Sequence, residues 1–411
     1  MHRGPSILLL AGEASGDYHA AALVREVRKL RPETRFVGIG GDKLAAEGME
    51  LLFHYKDVNT IGLSEGFAKI RSIYRAYQSM KDQLRDGGHQ LFIPVDYPDV
   101  NIRLCLFAKR AGIPVCYYIS PQVWAWRKGR TRKLANRVNR MMTLFPFEEK
   151  LYRRAGLQAY FVGHTMVNDI PENLGRAVVR SGLNLDPDKY TVALVPGSRP
   201  AEIIRMLPKM CEAADSFTRE FHDTAFVLPL AGPHLSELVD RILTKYSSQI
   251  HVHRTEASTL MAAADCGLVT SGTATLQAAL AGMPHIVAYE LDSLSWWFAT
   301  RILKPLLMDK DLHVAIANVL AIQQEKEGKG PIKFMLDAGF HVPCQECRRP
   351  LFVPELLQDH ATAPNMAAWL RRFRTEPSLC AAMARGFSDL RRSLEPTRTG
   401  PTAAEIVSEF L

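Results

Sequence analysis

The sequence contains no long apolar run. Among its 411 residues, no window approaches the roughly 18 consecutive apolar residues of a membrane-spanning helix. The first apolar run, Ile7 to Ala11, meets Gly12 and Glu13 before it is long enough to be the apolar core of a secretory signal. We therefore expect a cytoplasmic protein that at most binds a membrane surface.

Cysteine is also sparse. Seven cysteines are scattered along the chain, and four lie in apolar segments, where free thiols behave as small hydrophobic side chains: Cys105, Cys116, Cys211 and Cys266. This distribution argues against a disulfide framework. The spacing of His341, Cys344 and Cys347 would supply three zinc ligands, but one C-x-x-C without a second pair is a weak signal, and we predict no metal site.

Repetitive and low-complexity segments are absent too, which excludes fibrous and wholly disordered proteins. Hydrophobic residues make up 47% of the chain and charged residues 23%, as in soluble globular proteins. The length exceeds the roughly 250 to 300 residues at which one core stops growing, so we expect two domains. The net charge of +8 suits an anionic partner, whether a nucleic acid, a phosphorylated substrate or an anionic bilayer.

Short β-type runs alternate with amphipathic helical patterns along both halves of the chain. This alternation predicts an α/β fold of stacked βαβ units around parallel sheets, and hence two Rossmann-like domains that face a cleft. The predicted strands are 7–11, 36–39, 91–95, 115–119, 141–144 and 160–162 in the first half, and 192–195, 226–230, 251–253, 267–270 and 285–289 in the second.

Three segments follow from this pattern. We expect a first domain over residues 1–168, a second over 169–363 and a helical tail over 364–411 that packs back across the first domain. The regular alternation fails between Asn318 and Val353, which indicates an insertion over about residues 322–352.

Polar residues cluster after several predicted strands, where ligands of open α/β sheets bind. The first turn, Gly12 to Asp17, offers Glu13, Ser15 and Gly16 beside the Asp17 carboxylate, a set suited to sugar hydroxyls. A tight turn in which Ser15 or Asp17 caps the following helix is the alternative. The turn lacks a G-x-G-x-x-G nucleotide fingerprint.

Two carboxylates follow the predicted strand 91–95. Asp99 precedes an amphipathic helix and is expected to be its N-cap. Asp96 directly follows the strand, where a carboxylate can accept a proton from a substrate hydroxyl. A structural turn at Asp96 remains the alternative.

The second half has two strand-to-helix turns that favour anions. Gly197, Ser198 and Arg199 combine backbone N–H groups with a guanidinium, and Ser271, Gly272 and Thr273 form a similar turn without an acid. We therefore expect a nucleotide diphosphate in the second domain.

Several strings in order make the chain resemble the lipid-A-disaccharide synthase family: GEASGD, DYPDVN, SPQVWAWR, PFEEKLY, VGHTMVND, VPGSR, TSGTATLQAAL and PELLQ. The resemblance implies a GT-B glycosyltransferase that is inverting, metal-independent and free of cofactors. It implies transfer from UDP-2,3-diacylglucosamine to 2,3-diacylglucosamine 1-phosphate at the inner face of the cytoplasmic membrane, with release of UDP. The site residues that it implies are Glu13, Ser15, Asp17, Asp96, Arg199, Ser271 to Thr273 and Asn318.

The chain departs from the family pattern at three positions. Gln277 replaces a glutamate that in related enzymes grips the ribose hydroxyls, and an amide keeps hydrogen bonding but loses the charge-assisted form. Glu290 stands where the pattern has arginine, which removes a positive charge near the nucleotide. The three residues before Asn318 are Ala-Ile-Ala, where the family pattern has Ser-Leu-Pro.

Acyl chains require apolar surface, and three segments are candidates. One helical face, flanked by basic residues, carries Phe67, Ile70, Ile73, Tyr74, Tyr77 and Met80. An ordinary core-facing helix is the alternative. The others are the loop with Trp124, Trp126 and Arg127 and the run Trp296, Trp297 and Phe298 with Arg301 and Lys304.

Two rival functions share some of these features. A UDP-sugar epimerase has the same two-domain architecture but needs no acyl acceptor. A basic nucleic-acid-binding protein fits the charge, but the sequence shows no recognised module and its charges are dispersed, so we expect no nucleic acid. The expected partners are the two lipid substrates and the membrane surface, with a homodimer left open.

Overall fold

The computed structural model describes residues 4–59, 66–121, 129–170, 175–291, 315–325, 330–342, 344, 350–396 and 400–411, with backbone alone at 58–59, 66–70 and 129–130. The chain divides into two compact units. One consists of Met1–Thr165 with Leu394–Leu411, and the other of Met166–Ser393.

The first unit is built on a parallel sheet. Within the described residues it has seven strands in the order β3-β2-β1-β4-β5-β6-β7. The strands are β1 (Ser6–Ala11), β2 (Arg35–Gly40), β3 (Glu50–His54), β4 (Leu91–Val95), β5 (Cys116–Tyr118), β6 (Arg140–Thr143) and β7 (Ala159–Phe161). Its helices before Thr165 are α1 (Ala14–Leu30), α2 (Asp42–Ala46), α3 (Tyr55–Asn59), α4 (Gly66–Asp86), α5 (Pro98–Arg110), α6 (Gly129–Ala135) and α7 (Pro146–Arg154).

Strand β1 shows why helices cover both faces of this sheet. Its apolar side chains alternate between two buried clusters, because successive residues of a strand point to opposite faces. Ile7 and Leu9 pack with side chains of α1, whereas Leu8 and Leu10 pack with side chains of α4 and α5. A strand buried on both faces reads as a continuous apolar run, as this one does.

The second unit repeats the plan. Its parallel sheet has, within the described residues, six strands in the order β10-β9-β8-β11-β12-β13. The strands are β8 (Tyr190–Val195), β9 (Thr224–Pro229), β10 (Ile250–His253), β11 (Cys266–Thr270), β12 (His285–Tyr289) and β13 (Glu355–Leu357). This order, 3-2-1-4-5-6 within the unit, is the doubly wound order of Rossmann folds.

The helices of the second unit lie before, between and after its strands. They are α8 (Met166–Asp169), α9 (Arg176–Gly182), α10 (Pro200–Thr218), α11 (Ser236–Leu243), α12 (Ala257–Ala263), α13 (Thr273–Leu280), α14 (Ile316–Glu325), α15 (Pro331–Asp337), α16 (Ala363–Thr375) and α17 (Pro377–Leu394). The short helix α18 (Ala403–Ser408) belongs to the first unit.

The prediction of two parallel α/β sheets is confirmed, and each of the eleven predicted strands has its counterpart. Two edge strands, β3 and β13, were not predicted from the sequence. The predicted tail is divided: α16 packs on α10 in the second unit, and α18 packs on α1 in the first. Only the last residues of the tail, from Leu394, belong to the first unit. The prediction that the whole tail packs on the first domain is therefore wrong.

The helical prediction for residues 67–80 is correct, but its apolar face is shared between two environments. Met80 is fully buried in the core, whereas Ile73 is 40% and Tyr74 62% exposed. Met80 therefore cannot belong to a membrane-facing surface. None of the helices that the structure describes combines the length and the apolarity that a membrane crossing needs.

Candidate functional site

The first turn after β1 leads directly into α1. This helix begins at Ala14, so that Glu13 occupies the N-cap position and Ser15 lies in the first turn, both exposed. Gly16 is buried, and a Cβ added to it would contact Ala11 and Val95 at ordinary van der Waals distance. Glu13 and Ser15 are thus the members of this turn that present polar side chains to solvent.

Asp17 has a structural role instead of the predicted role at a sugar. Its carboxylate is buried and accepts hydrogen bonds from the backbone N–H groups of Gly41 at 2.6 Å, Lys43 at 3.1 Å and Leu44 at 3.3 Å. These groups form the N-terminus of α2, where N–H donors lack partners within the helix. Asp17 therefore caps α2 from a neighbouring element, a partner that the sequence analysis did not consider.

Asp96 lies at the carboxyl end of β4 in an unusual backbone conformation. Both Asp96 and Tyr97 have positive φ values, 41° and 45°, which cost non-glycine residues free energy and persist where the surroundings enforce them. The carbonyl of Asp96 accepts hydrogen bonds from Asn101 Nδ2 at 2.7 Å and Tyr117 Oη at 2.6 Å. These two side chains hold the backbone of the strained turn.

The Asp96 carboxyl group has a raised pKa. Burial is the main cause, the nearby negative charge of Glu13 adds to it, and a hydrogen bond from the Tyr97 backbone opposes it, for a pKa of about 6. A carboxylate with such a pKa is a stronger base than an ordinary aspartate and is still largely ionised at pH 7. Asp96 is thus suited to take a proton from a hydroxyl group.

The N-cap of α5 differs from the predicted one. Tyr97 occupies the N-cap position and Pro98 the first helical position, so Asp99 lies in the first turn of the helix. The expectation that Asp99 caps this helix is therefore wrong, although its charge still suits the helix N-terminus.

Gly12 allows β1 and the Asp96 turn to approach each other. A Cβ on Gly12 would lie 2.5 Å from the Tyr97 ring, closer than real Cβ contacts. Only glycine permits this contact. The sequence analysis missed the contributions of Tyr97, Asn101 and Tyr117; Asn101 falls within the DYPDVN string, but nothing in the sequence links Tyr117 to Asp96.

A cavity of about 460 Å³ opens beside this turn. Leu10 and Gly12 of the first strand and turn line it together with Ile73, Tyr74 and Tyr77 of α4. Tyr97, which follows Asp96 in the turn, forms part of its wall. Asp99 and Arg103 of α5 add one charge of each sign to a mainly apolar lining.

In the second unit, the turn from Gly197 to Arg199 is already filled by a carboxylate of the protein. Glu202 Oε2 accepts hydrogen bonds from the backbone N–H groups of Ser198 at 3.1 Å and Arg199 at 3.3 Å. Gly197 has φ 106°, and a Cβ there would lie 2.4 Å from the same oxygen. The two N–H groups expected to hold a diphosphate are thus engaged. The Arg199 guanidinium pairs with Glu202 Oε1 at 3.4 Å but is 77% exposed and accessible to a ligand.

The second turn predicted to bind an anion, Ser271 to Thr273, has no such carboxylate among the described residues. Gly272 is the N-cap of α13 with φ 134°, a Cβ there would meet nothing within 4 Å, and no described side chain caps this helix. The exposed Thr273 begins the helix, Ser271 is partly exposed, and Gln277 is half-buried one turn further on. Thr275 fixes the turn internally, donating from Oγ1 to the Gly272 carbonyl at 2.9 Å. The N–H groups of α13 are therefore the better anion cradle.

Asn318 is fully buried and does not face a substrate. Its Nδ2 donates to the Val353 carbonyl at 2.7 Å and to Glu355 Oε1 at 2.8 Å. Its Oδ1 accepts from the backbone N–H groups of Phe352 at 3.0 Å and Val353 at 2.7 Å. The expectation of direct substrate contact is corrected: Asn318 joins α14 to the segment that enters β13.

Some of the predicted elements lie outside the described residues: Trp124, Trp126, Arg127, Trp296, Trp297, Phe298, Arg301, Lys304 and Cys347, together with the side chains of Phe67 and Ile70. Cys344 is described and buried. The described residues contain no group of three or more His, Cys, Asp or Glu side chains placed to hold a metal ion.

Comparison with known proteins identifies the family. The family model for lipid-A-disaccharide synthetase matches residues 7–326, more than three quarters of the chain. The chain belongs to the lipid-A-disaccharide synthase family. It is 36% identical to the lipid-A-disaccharide synthase of Myxococcus xanthus, over all of this chain and 99% of that one. It is 34% identical to that of Geobacter metallireducens, over 98% and 97% of the two chains.

This member of the lipid-A-disaccharide synthase family has the GT-B fold, which solved structures of a UDP-GlcNAc 2-epimerase and of the calicheamicin glycosyltransferase CalG4 share with it. S. aureus MnaA with UDP has a TM-score of 0.59 at 11% identity, covering 98% of this chain and 95% of that one. MurG of Acinetobacter baumannii has a TM-score of 0.54 at 12% identity, covering 99% and 98%. The fold therefore does not separate transferase from epimerase, whereas family membership favours the transferase over both rivals.

Proposed function

We propose that the protein joins UDP-2,3-diacylglucosamine to 2,3-diacylglucosamine 1-phosphate, forming a β-1,6-linked disaccharide 1-phosphate and UDP. Family membership over nearly the whole chain supports this reaction. The observation that carries the chemistry is the rigidly held Asp96, whose pKa of about 6 suits a general base at neutral pH.

In this proposal Asp96 accepts the proton of the acceptor 6-hydroxyl group. The hydroxyl oxygen then forms a bond to the anomeric carbon of the donor, and the bond from that carbon to the diphosphate oxygen breaks with its electron pair. Attack opposite the leaving group inverts the anomeric centre. Glu13 assists indirectly, because its negative charge raises the pKa of Asp96.

The second unit is proposed to bind UDP. The open N-terminus of α13, with Ser271, Gly272 and Thr273, supplies backbone N–H groups for the diphosphate, and the exposed Arg199 guanidinium supplies charge. Gln277 is proposed for the ribose hydroxyls. Because charge grows on the departing diphosphate, these groups stabilise the transition state more than the ground state.

The apolar cavity of the first unit is proposed to hold an acyl chain of a lipid substrate. Tyr97, which follows Asp96, forms part of its wall, so a chain bound there would lie near the proposed base. The exposed Ile73 and Tyr74 extend this apolar surface, and Arg71 and Arg75 beside them are also exposed. This pattern supports association with the inner face of the cytoplasmic membrane.

Mass spectrometry of the products tests this function. The protein is incubated with UDP-diacylglucosamine, with and without the monosaccharide 1-phosphate. We expect the disaccharide 1-phosphate and UDP only when both lipids are present. Epimerisation of the donor alone, without disaccharide in the full mixture, would favour the epimerase and contradict the proposal.

A further inference from the structure

Helix α10 carries a row of charged side chains that begins at the turn after β8. Arg199 is its N-cap, and Glu202, Arg205 and Lys209 follow at spacings of three, three and four residues. Residues at such spacings lie along one face of a helix. This row therefore extends the charge of the proposed diphosphate site along α10.

The row meets the carboxyl end of β12. Arg205 Nη1 donates a hydrogen bond to the backbone carbonyl of Glu290 at 3.0 Å, and Lys209 forms an ion pair with the Glu290 carboxylate. The side chains of Lys209 and Glu290 are 31% and 30% exposed, so both are accessible to solvent. Glu290 thus lies beside two cations of α10.

Tyr289 shows that Arg199 and Arg205 act on the same region. Burial raises the pKa of the Tyr289 phenol and Glu202 raises it further, whereas the positive charges of Arg199 and Arg205 oppose the rise. Both guanidinium groups therefore lie within electrostatic reach of one side chain at the end of β12. A dianionic ligand at this edge of the sheet would be attracted by both.

We propose that Arg205 is a second guanidinium for the diphosphate of the nucleotide, and that Glu290 sets the strength of binding by neutralising Lys209. This inference rests on the proposed function, because it assumes that UDP binds to the second unit. It also explains how a glutamate is accommodated where the family pattern has arginine. The negative charge is offset by Lys209, one turn of α10 beyond Arg205.

Substitutions of Arg205 test the direct contact. We expect Arg205→Gln to weaken UDP binding five- to fiftyfold by calorimetry, while binding of uridine, which has no phosphate, changes less than twofold. Arg205→Lys keeps the charge but loses the planar fork, and we expect an intermediate loss. Arg371→Gln is the matched control, because it removes one cation from an exposed pair with Glu220 in the same unit.

A charge cycle tests the role of Glu290. Glu290→Gln releases Lys209 and should tighten UDP binding two- to tenfold. Lys209→Gln leaves the Glu290 carboxylate unpaired and should weaken it by a similar factor. The double variant Lys209→Gln, Glu290→Gln restores the net charge and should return to within twofold of the wild type. A purely structural pair would lower the melting temperature in the single variants and leave the UDP affinity unchanged.

The outcomes separate this inference from the proposed function. If the wild-type protein binds UDP and makes the disaccharide, but Arg205→Gln changes UDP binding no more than Arg371→Gln does, the role of Arg205 is overturned. Unchanged UDP affinity throughout the charge cycle overturns the role of Glu290. Absence of UDP binding by the folded wild-type protein would instead contradict the proposed function itself.

Discussion

The two units share a strand order, but the carboxyl ends of their central strands carry opposite electrostatics. In the first unit a half-buried carboxylate, Asp96, lies in a strained turn next to the negative charge of Glu13. In the second unit the helix N-terminus at Gly272, which no side chain of the described residues caps, and an exposed guanidinium at Arg199 favour anions. One topology thus provides a basic carboxylate in one unit and groups suited to an anion in the other, and side chains rather than strand order decide which.

A second contrast concerns carboxylate side chains that accept hydrogen bonds from the protein's own backbone. Asp17 and Glu202 both lie near strand ends, and both accept hydrogen bonds from backbone N–H groups. Such carboxylates stabilise turns and helix ends because they satisfy donors that the helix leaves unpaired. A carboxylate near a ligand site is therefore a candidate for catalysis only after its backbone partners have been counted.

The largest expected effect is that of removing the proposed base. Asp96→Asn preserves shape but abolishes basicity, so turnover should fall by about 10² to 10⁴ while UDP binding persists. The variant should fold, and at pH 8 its thermal stability should exceed that of the wild type. The reason is that the raised pKa of Asp96 makes its ionisation unfavourable in the folded state above about pH 6. Steady-state kinetics, calorimetry with UDP and thermal melts at pH 8 measure the three quantities.

Asp99→Asn is the control for this experiment. Asp99 lies in the first turn of α5 and lines the apolar cavity, so its neutral analogue should keep most of the activity. An inactive Asp99→Asn with an active Asp96→Asn would reverse the assignment. Activity in both variants would move the base elsewhere, with Glu13 as the next candidate.

The next effect concerns the anion site of the second unit. Arg199→Ala should weaken UDP binding by about 1.5 to 3 kcal/mol, the usual contribution of a charged hydrogen bond. Glu202→Gln should have a smaller effect, because the amide oxygen can still accept hydrogen bonds from Ser198 and Arg199. Calorimetry with UDP measures the affinity of both variants. Unchanged UDP affinity in Arg199→Ala would refute this placement of the diphosphate.

The sequence was sufficient for the fold and for the position of Asp96 at the end of β4, but not for the distinction between exposed and engaged polar groups. Apolar runs that alternate with helical patterns indicate a parallel sheet, because a strand buried on both faces is a continuous run of apolar residues in the sequence. The partners of Asp17 lie more than twenty residues away, and those of Asn318 more than thirty. Contacts of that kind depend on tertiary packing, so neither the capping of α2 nor the burial of Asn318 could be inferred from spacing.

A smaller effect tests the link between Glu13 and Asp96. The kcat/KM of the wild type should fall below about pH 6, because it follows the ionisation of a base in the free enzyme. Glu13→Gln removes a negative charge that raises the pKa of Asp96, so the acidic limb should shift to lower pH. A pH profile of kcat/KM for both proteins measures the shift. An unchanged limb would show that burial alone determines the pKa, and a shift to higher pH would contradict the proposed interaction.

The smallest effect is expected at Gln277, where this chain departs from its family in the second unit. Gln277 is half-buried on α13, one turn beyond the open N-terminus. A carboxylate accepts hydrogen bonds from ribose hydroxyls more strongly than an amide does. Gln277→Glu should therefore tighten UDP binding slightly or leave it unchanged, as calorimetry with UDP can show. Uridine binding should follow the same direction, because the contact is to the ribose. A tenfold loss of UDP affinity in a folded variant would contradict this expectation. It would mean that the surroundings of Gln277 have adapted to the amide, together with the change to Glu290.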